Sequence, residues 1–115
     1  MKIDRAEAFQ WYQKAYDGGY RNAACALGRC YEEGLGTQAD ADRAVKLYQE
    51  AADREDAEGQ YRLACCCEKG LGVKRDPAKA RELYQLAADQ GHEKAREALK
   101  KKKKPGILGG LLGWK

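Results

Sequence analysis

Cys30-Tyr31-Glu32-Glu33-Gly34-Leu35-Gly36 returns 36 residues later as Cys66-Cys67-Glu68-Lys69-Gly70-Leu71-Gly72. The run Leu47-Tyr48-Gln49-Glu50-Ala51-Ala52-Asp53 returns at the same distance as Leu83-Tyr84-Gln85-Leu86-Ala87-Ala88-Asp89. An earlier copy of that second run stands at Trp11-Tyr12-Gln13-Lys14-Ala15-Tyr16-Asp17. Aligned without a gap, residues 20–55 and 56–91 are identical at 14 of 36 positions. A fixed period of this length marks a stacked repeat, because one unit cannot bury its apolar face alone. Such stacks usually bind other proteins and leave chemistry to others.

Each unit reads as two helices. The first spans about Asn22 to Glu33 and returns from about Glu58 to Lys69, closed by Gly34 and Gly70, which suit the left-handed residue after a helix. Leu27 and Tyr31 stand four apart, Leu63 and Cys67 repeat the spacing, and Gly28 and Ala64 keep a small side chain between them. The second helices are predicted over 5–17, 41–53 and 77–89. Asp4, Asp40 and Asp76 stand ready to cap them, and Pro77 fits a first helical position. Ala44, Leu47, Tyr48 and Ala51, with copies at 80, 83, 84 and 87, form the apolar face. A half unit at 4–19, full units at about 20–55 and 56–91, and a polar capping helix over 92–104 make one repeat domain, with about five helices expected. Phe9, Trp11 and Tyr16 load the first helix with aromatic surface, for packing within the chain or against another molecule.

The formal charge of +4 belongs to one end. Lys100 to Lys104 and Lys115 carry six positive charges, leaving 16 basic against 18 acidic residues over positions 1–99. A mildly acidic folded part argues against a nucleic-acid groove, which spreads Lys and Arg over a face. Met1 to Arg5 lack the apolar stretch of a secretory signal, and no apolar run approaches the ~20 residues of a spanning helix. Five cysteines without such a signal read as free thiols in a reducing compartment, so a cytoplasmic location is expected.

The candidates for chemistry are weak. Successive helical side chains point about 100° apart, so Cys65, Cys66 and Cys67 cannot converge on one metal ion. No Cys-x-x-Cys pair with zinc spacing exists, and Cys30 and Cys66 read as small core residues. Cys65 is the thiol expected on the open face. His92 follows Gly91 at the turn into the last helix, where a turn or cap role fits better than catalysis. The chain holds no serine, one threonine and one histidine, which counts against a hydroxyl nucleophile with its base and leaves a thiol or metal-dependent enzyme as the least favoured class. No catalytic residue, cofactor or metal is expected.

These residues resemble the Sel-one-like repeat, a relative of the tetratricopeptide repeat. The pattern is roughly A-x3-L-G-x2-Y-x2-G-x-G-V-x2-D-x2-K-A-x2-W-Y-x-K-A-A-x2-G, matched over residues 4–99. Ala23, Leu27, Gly28, Tyr31, Gly34, Gly36, Asp40, Ala44, Tyr48, Ala51 and Ala52 carry it in one unit. Leu63, Gly70, Gly72, Val73, Asp76, Lys79, Ala80, Tyr84, Ala87, Ala88 and Gly91 carry it in the next. Cys67, Ala64 and Thr37 depart from it without threatening the packing. The resemblance implies an all-α, right-handed superhelical solenoid that acts as an adaptor, binding a peptide or partner protein on its concave face. By analogy with tetratricopeptide arrays, the free side of each first helix lines that face. It comprises Asn22, Cys25, Arg29, Glu32 and Glu33, then Glu58, Tyr61, Cys65, Glu68 and Lys69. Lys94, Glu97 and Lys101 continue the row. Cysteine-rich members of the family staple each helix pair with a disulfide, but Tyr16, Ala24, Ala52 and Gln60 hold the places where those cysteines would fall.

Residues 105–115 change character, with Pro105, four glycines and the apolar Ile107, Leu108, Leu111, Leu112 and Trp114. A disordered end, a weak membrane anchor beside the lysine run, and docking onto a solenoid groove all stay open for this tail. A membrane-associated scaffold is the alternative to the soluble adaptor. Homo-oligomerisation is also left open.

Overall fold

The computed structural model describes residues 4–20 and 22–103, the side chains of 102 and 103 excepted. The expectations for the tail fall outside the described residues. Among those residues there are six α-helices and no strand. They are α1 (Arg5–Asp17), α2 (Ala23–Glu33), α3 (Ala41–Asp53), α4 (Ala57–Lys69), α5 (Pro77–Asp89) and α6 (Glu93–Lys103). The expected count of five is corrected to six, because two full units give four helices and each half unit adds one.

The ends of the helices follow the local chemistry. Asp4, Asp40 and Asp76 accept from the amides of Ala6 (3.1 Å), Arg43 (3.2 Å) and Lys79 (3.1 Å). Each such cap is worth about 1 kcal/mol. Asp56 caps α4 in the same way through the Glu58 amide at 3.2 Å, a bond the sequence reading did not foresee. Gly34 and Gly70 close α2 and α4 in the left-handed conformation. Two residues on, Gly72 has φ +72° and lies so close to α3 that a Cβ would stand 2.5 Å from the Ala41 carbonyl oxygen. Gly36 meets Arg5 of α1 in the same manner. Each Gly-x-Gly loop is thereby pressed onto the start of the preceding second helix, which sets the spacing between units.

Packing is between neighbours in chain order, α1 on α2 through α5 on α6, with a light additional contact of α2 with α4. The stack measures 55 × 31 × 25 Å. Its interior is built from alanines at close helix crossings with a few larger side chains between them. Tyr48, Leu27, Leu63, Cys30 and Cys66 are the largest fully buried ones. Tyr48 enters α2 where Gly28 leaves room, since a Cβ there would come within 2.8 Å of the ring. Its hydroxyl donates to Glu32 Oε1 at 2.5 Å. Tyr84 repeats the bond one unit later, to Glu68 Oε1 at 2.6 Å. The aromatic load of α1 is divided: Phe9 packs edge-on to Tyr31 at 5.6 Å, Tyr16 donates to Glu50 at 2.6 Å, and Trp11 stays exposed.

Candidate partner-binding groove

The expected row of groove residues does not behave as one surface. Tyr61 and Glu68 of α4 and Lys94, Glu97 and Lys101 of α6 line a single open cleft of about 740 Å³. Its remaining wall comes from Pro77 and Arg81 of α5, with Ala98 at the base. Neither α5 residue was read as part of the site. Arg29 lies instead on a smaller cleft between α1 and α2. Asn22, Glu33 and Lys69 are exposed outside both clefts. Cys25 is corrected: it is 4% exposed and packed in the core, so it cannot meet a partner.

Beside the cleft, behind its Tyr61, a network ties α4 to the start of α6. Glu58 receives Arg62 Nε at 2.7 Å and faces His92 Nε2 at 2.7 Å. The other ring nitrogen of His92, Nδ1, accepts the Ala95 amide at 3.2 Å and so caps α6. That acceptor role leaves the proton on Nε2, which donates to Glu58. Burial works against the Glu58 charge, but the bonds from His92 and Arg62 outweigh it and hold the carboxyl below its ordinary range. Tyr61 stacks on His92 with ring centroids 4.7 Å apart and sits 5.8 Å from Tyr84. Beneath them Gln60, 5% exposed, accepts from Gln90 Nε2 at 2.9 Å, and the same amide group reaches the Glu55 carbonyl at 3.0 Å. Tyr61 is thus held by ring contacts to His92 and Tyr84.

Four of the thiols and the two inner phenols are held in their neutral forms. Burial pushes the Cys25 and Cys66 thiols up to about 12, and raises Cys30 and Cys67 as well. Burial and the bond to Glu68 likewise raise the Tyr84 phenol, and Tyr48 is raised by burial and Glu32. Cys65 is the half-exposed thiol, 3.5 Å from the Tyr84 oxygen. The four buried thiols and the two inner phenols, keeping their protons, are poor nucleophiles and bases. Among the described residues no three His, Cys, Asp or Glu side chains are grouped to hold a metal, and no helix is long and apolar enough to cross a membrane.

A family model described as the Sel1 repeat matches residues 1–20, 21–56 and 57–92. The chain belongs to the Sel1 repeat family. Solved Sel1 structures agree with that membership. The Sel1 repeat protein of Oxalobacter formigenes is 34% identical with a TM-score of 0.86, over 96% of this chain and 44% of that one. A second match is c5321, a protective antigen of uropathogenic Escherichia coli strains with an SLR fold. It is 38% identical with a TM-score of 0.76, over 80% of this chain and 20% of its own. Helicobacter pylori cysteine rich protein B is 28% identical with a TM-score of 0.75, over 84% and 73%. The chain thus spans less than half the length of the first two. No curated protein matches it. Sel1 repeats are generally non-catalytic scaffolds for protein interaction. All five cysteines of this Sel1 chain are free thiols.

Proposed function

We propose that this Sel1 repeat chain is an adaptor whose α4–α6 cleft holds an acidic segment of a partner protein. The observation that supports it most is the make-up of the cleft. Arg81, Lys94 and Lys101 approach from two helices onto a floor that includes Tyr61, and among the described residues none of the three cations is in an ion pair. Cations that lie beside an anchored aromatic ring, with their charge unspent, recognise carboxylates on an extended or helical segment. Glu97 is the one carboxylate of the cleft that makes no hydrogen bond or ion pair among the described residues, and it would order the partner's own basic residues.

The test is a Lys94→Glu/Lys101→Glu double variant. Both side chains are exposed, so the circular dichroism spectrum and melting curve should match the parent. Partners captured from the native host by the parent protein should be lost by the variant, and their binding should weaken with salt. Capture unaltered by the double charge reversal would sink this reading.

A further inference from the structure

Four of the helices are capped by an aspartate: α1 by Asp4, α3 by Asp40, α4 by Asp56 and α5 by Asp76. Helix α6 is capped by an imidazole. His92 stands where Asp56 stands one unit earlier, and its Nδ1 accepts the Ala95 amide at 3.2 Å. The two chemistries answer mild acid differently. A free aspartate loses its charge only near about pH 4, whereas a free imidazole takes up its proton between about pH 5 and 8. Once protonated, both ring nitrogens are donors, and Nδ1 accepts nothing. Ala95 is fully buried, so its amide has no water to turn to when the ring stops accepting. A buried donor left without an acceptor is costly, and the first turn of α6 has to open to relieve it.

We propose that His92 is a proton-operated latch between α4 and α6. Neutral, it holds Ala95 through Nδ1 and Glu58 through Nε2. Protonated, it lets go of Ala95, keeps Glu58 and frees the first turn of α6. The surroundings contain what such a proton needs. Glu58 Oε1 lies 2.7 Å from Nε2, and the Tyr61 ring is stacked on the imidazole, so a cation there gains an ion pair and an aromatic face. Opposing it are the burial of the ring, the positive end of α6, and Arg62 of α4, which shares Glu58 at 2.7 Å. The other charges close by are engaged, Glu93 with Arg96 on α6 and Asp89 with Gln85 on α5. Lys94 belongs both to the freed turn and to the wall of the cleft, so acid reaches the partner site through it. That consequence rests on the adaptor reading above, whereas the latch itself does not.

The test follows the full chain by nitrogen-15 NMR, kept reduced and without any partner, from about pH 7.5 to about pH 5.5. The ring nitrogens of His92 report proton uptake. Exchange of the Ala95 amide, corrected for the direct effect of pH, reports the cap. As His92 takes up its proton, Ala95 should lose protection about fivefold, the worth of one side-chain cap. The Lys79 amide, held by Asp76 at 3.1 Å, should keep its protection over the same range. His92→Asn supplies a cap that binds no proton, and its Ala95 protection should stay flat. Glu58→Gln removes the partner of the cation and should move the fall at Ala95 to lower pH. Proton uptake without a loss at Ala95, a fall that persists in His92→Asn, a fall shared by Lys79, or a ring that stays neutral throughout would each overturn the latch. Failure of the adaptor reading leaves all of these signals untouched, since none of them involves a partner.

Discussion

Tyr48 with Glu32 and Tyr84 with Glu68 are one bond made twice, whereas Val45 and Arg81, which share a place in their units, are opposites. Val45 is 8% exposed and belongs to the core; Arg81 stands in solvent at the wall of the large cleft. The same divergence recurs nearby. Cys25, buried in the first unit, becomes the stacked Tyr61 in the second. Asn22, exposed and bonding nothing as a cap, becomes Glu58, which joins Arg62 and His92. Where the copies agree, the residues hold helices together. Where they disagree, the first unit closes its groove and the second leaves it open and charged. In a stacked array each unit needs only its neighbours, so the shared positions are free to keep the fold while the others specialise.

The largest effect should come from exchanging the divergent pair. Val45→Arg forces a charge into a packed site and should cost about 2–4 kcal/mol by urea unfolding. Arg81→Val changes an exposed site and should move stability by less than about 0.5 kcal/mol, while partner capture falls. Equal costs at the two positions would show that the second groove is as closed as the first.

The agreeing pair is tested by removing one oxygen. Tyr48→Phe and Tyr84→Phe each forfeit a bond to a carboxylate and should cost about 1–2 kcal/mol. The two losses should match and add in the double variant, because the bonds lie in separate units and share no partner. A marked inequality would mean that the two units are not the same structural brick.

The helices were legible because both periods, 36 between units and about 3.6 within a helix, survive in one sequence. Capping aspartates and closing glycines fixed the boundaries further. The groove was only half legible, for two physical reasons. Cys25 was counted outward from Leu27 within its own helix, but the next unit covers it: Asp56, Glu58 and Arg62 all lie near enough to act on its thiol. An inter-unit contact of that kind leaves no mark in the spacing of one helix. Arg81 was passed over because the row was sought on first helices alone. The signal was present in the gapless alignment, where an apolar Val45 stands opposite a charged Arg81. The Gln60–Gln90 bond is likewise a meeting of residues 30 apart that no local pattern announces.

The smallest effect concerns the position where Asn22 and Glu58 differ. The Glu58 carboxyl is held below its ordinary range in the folded protein, with Arg62 and His92 as the groups that face it. A carboxyl whose folded value is depressed contributes stability that is fully present above its unfolded value, about 4.3. That contribution is lost as the pH falls through the lower folded value. Glu58→Gln should therefore lower the unfolding midpoint above about pH 5, and the gap to the parent should close below about pH 4. The side chain is 41% exposed, so solvent screens the pair and the gap should be modest and narrow with salt. Asn22→Gln in the first unit, made as the control, should leave the pH profile unchanged because no proton is bound there. A gap that persisted undiminished at low pH would mean that Glu58 acts through packing and not through its charge.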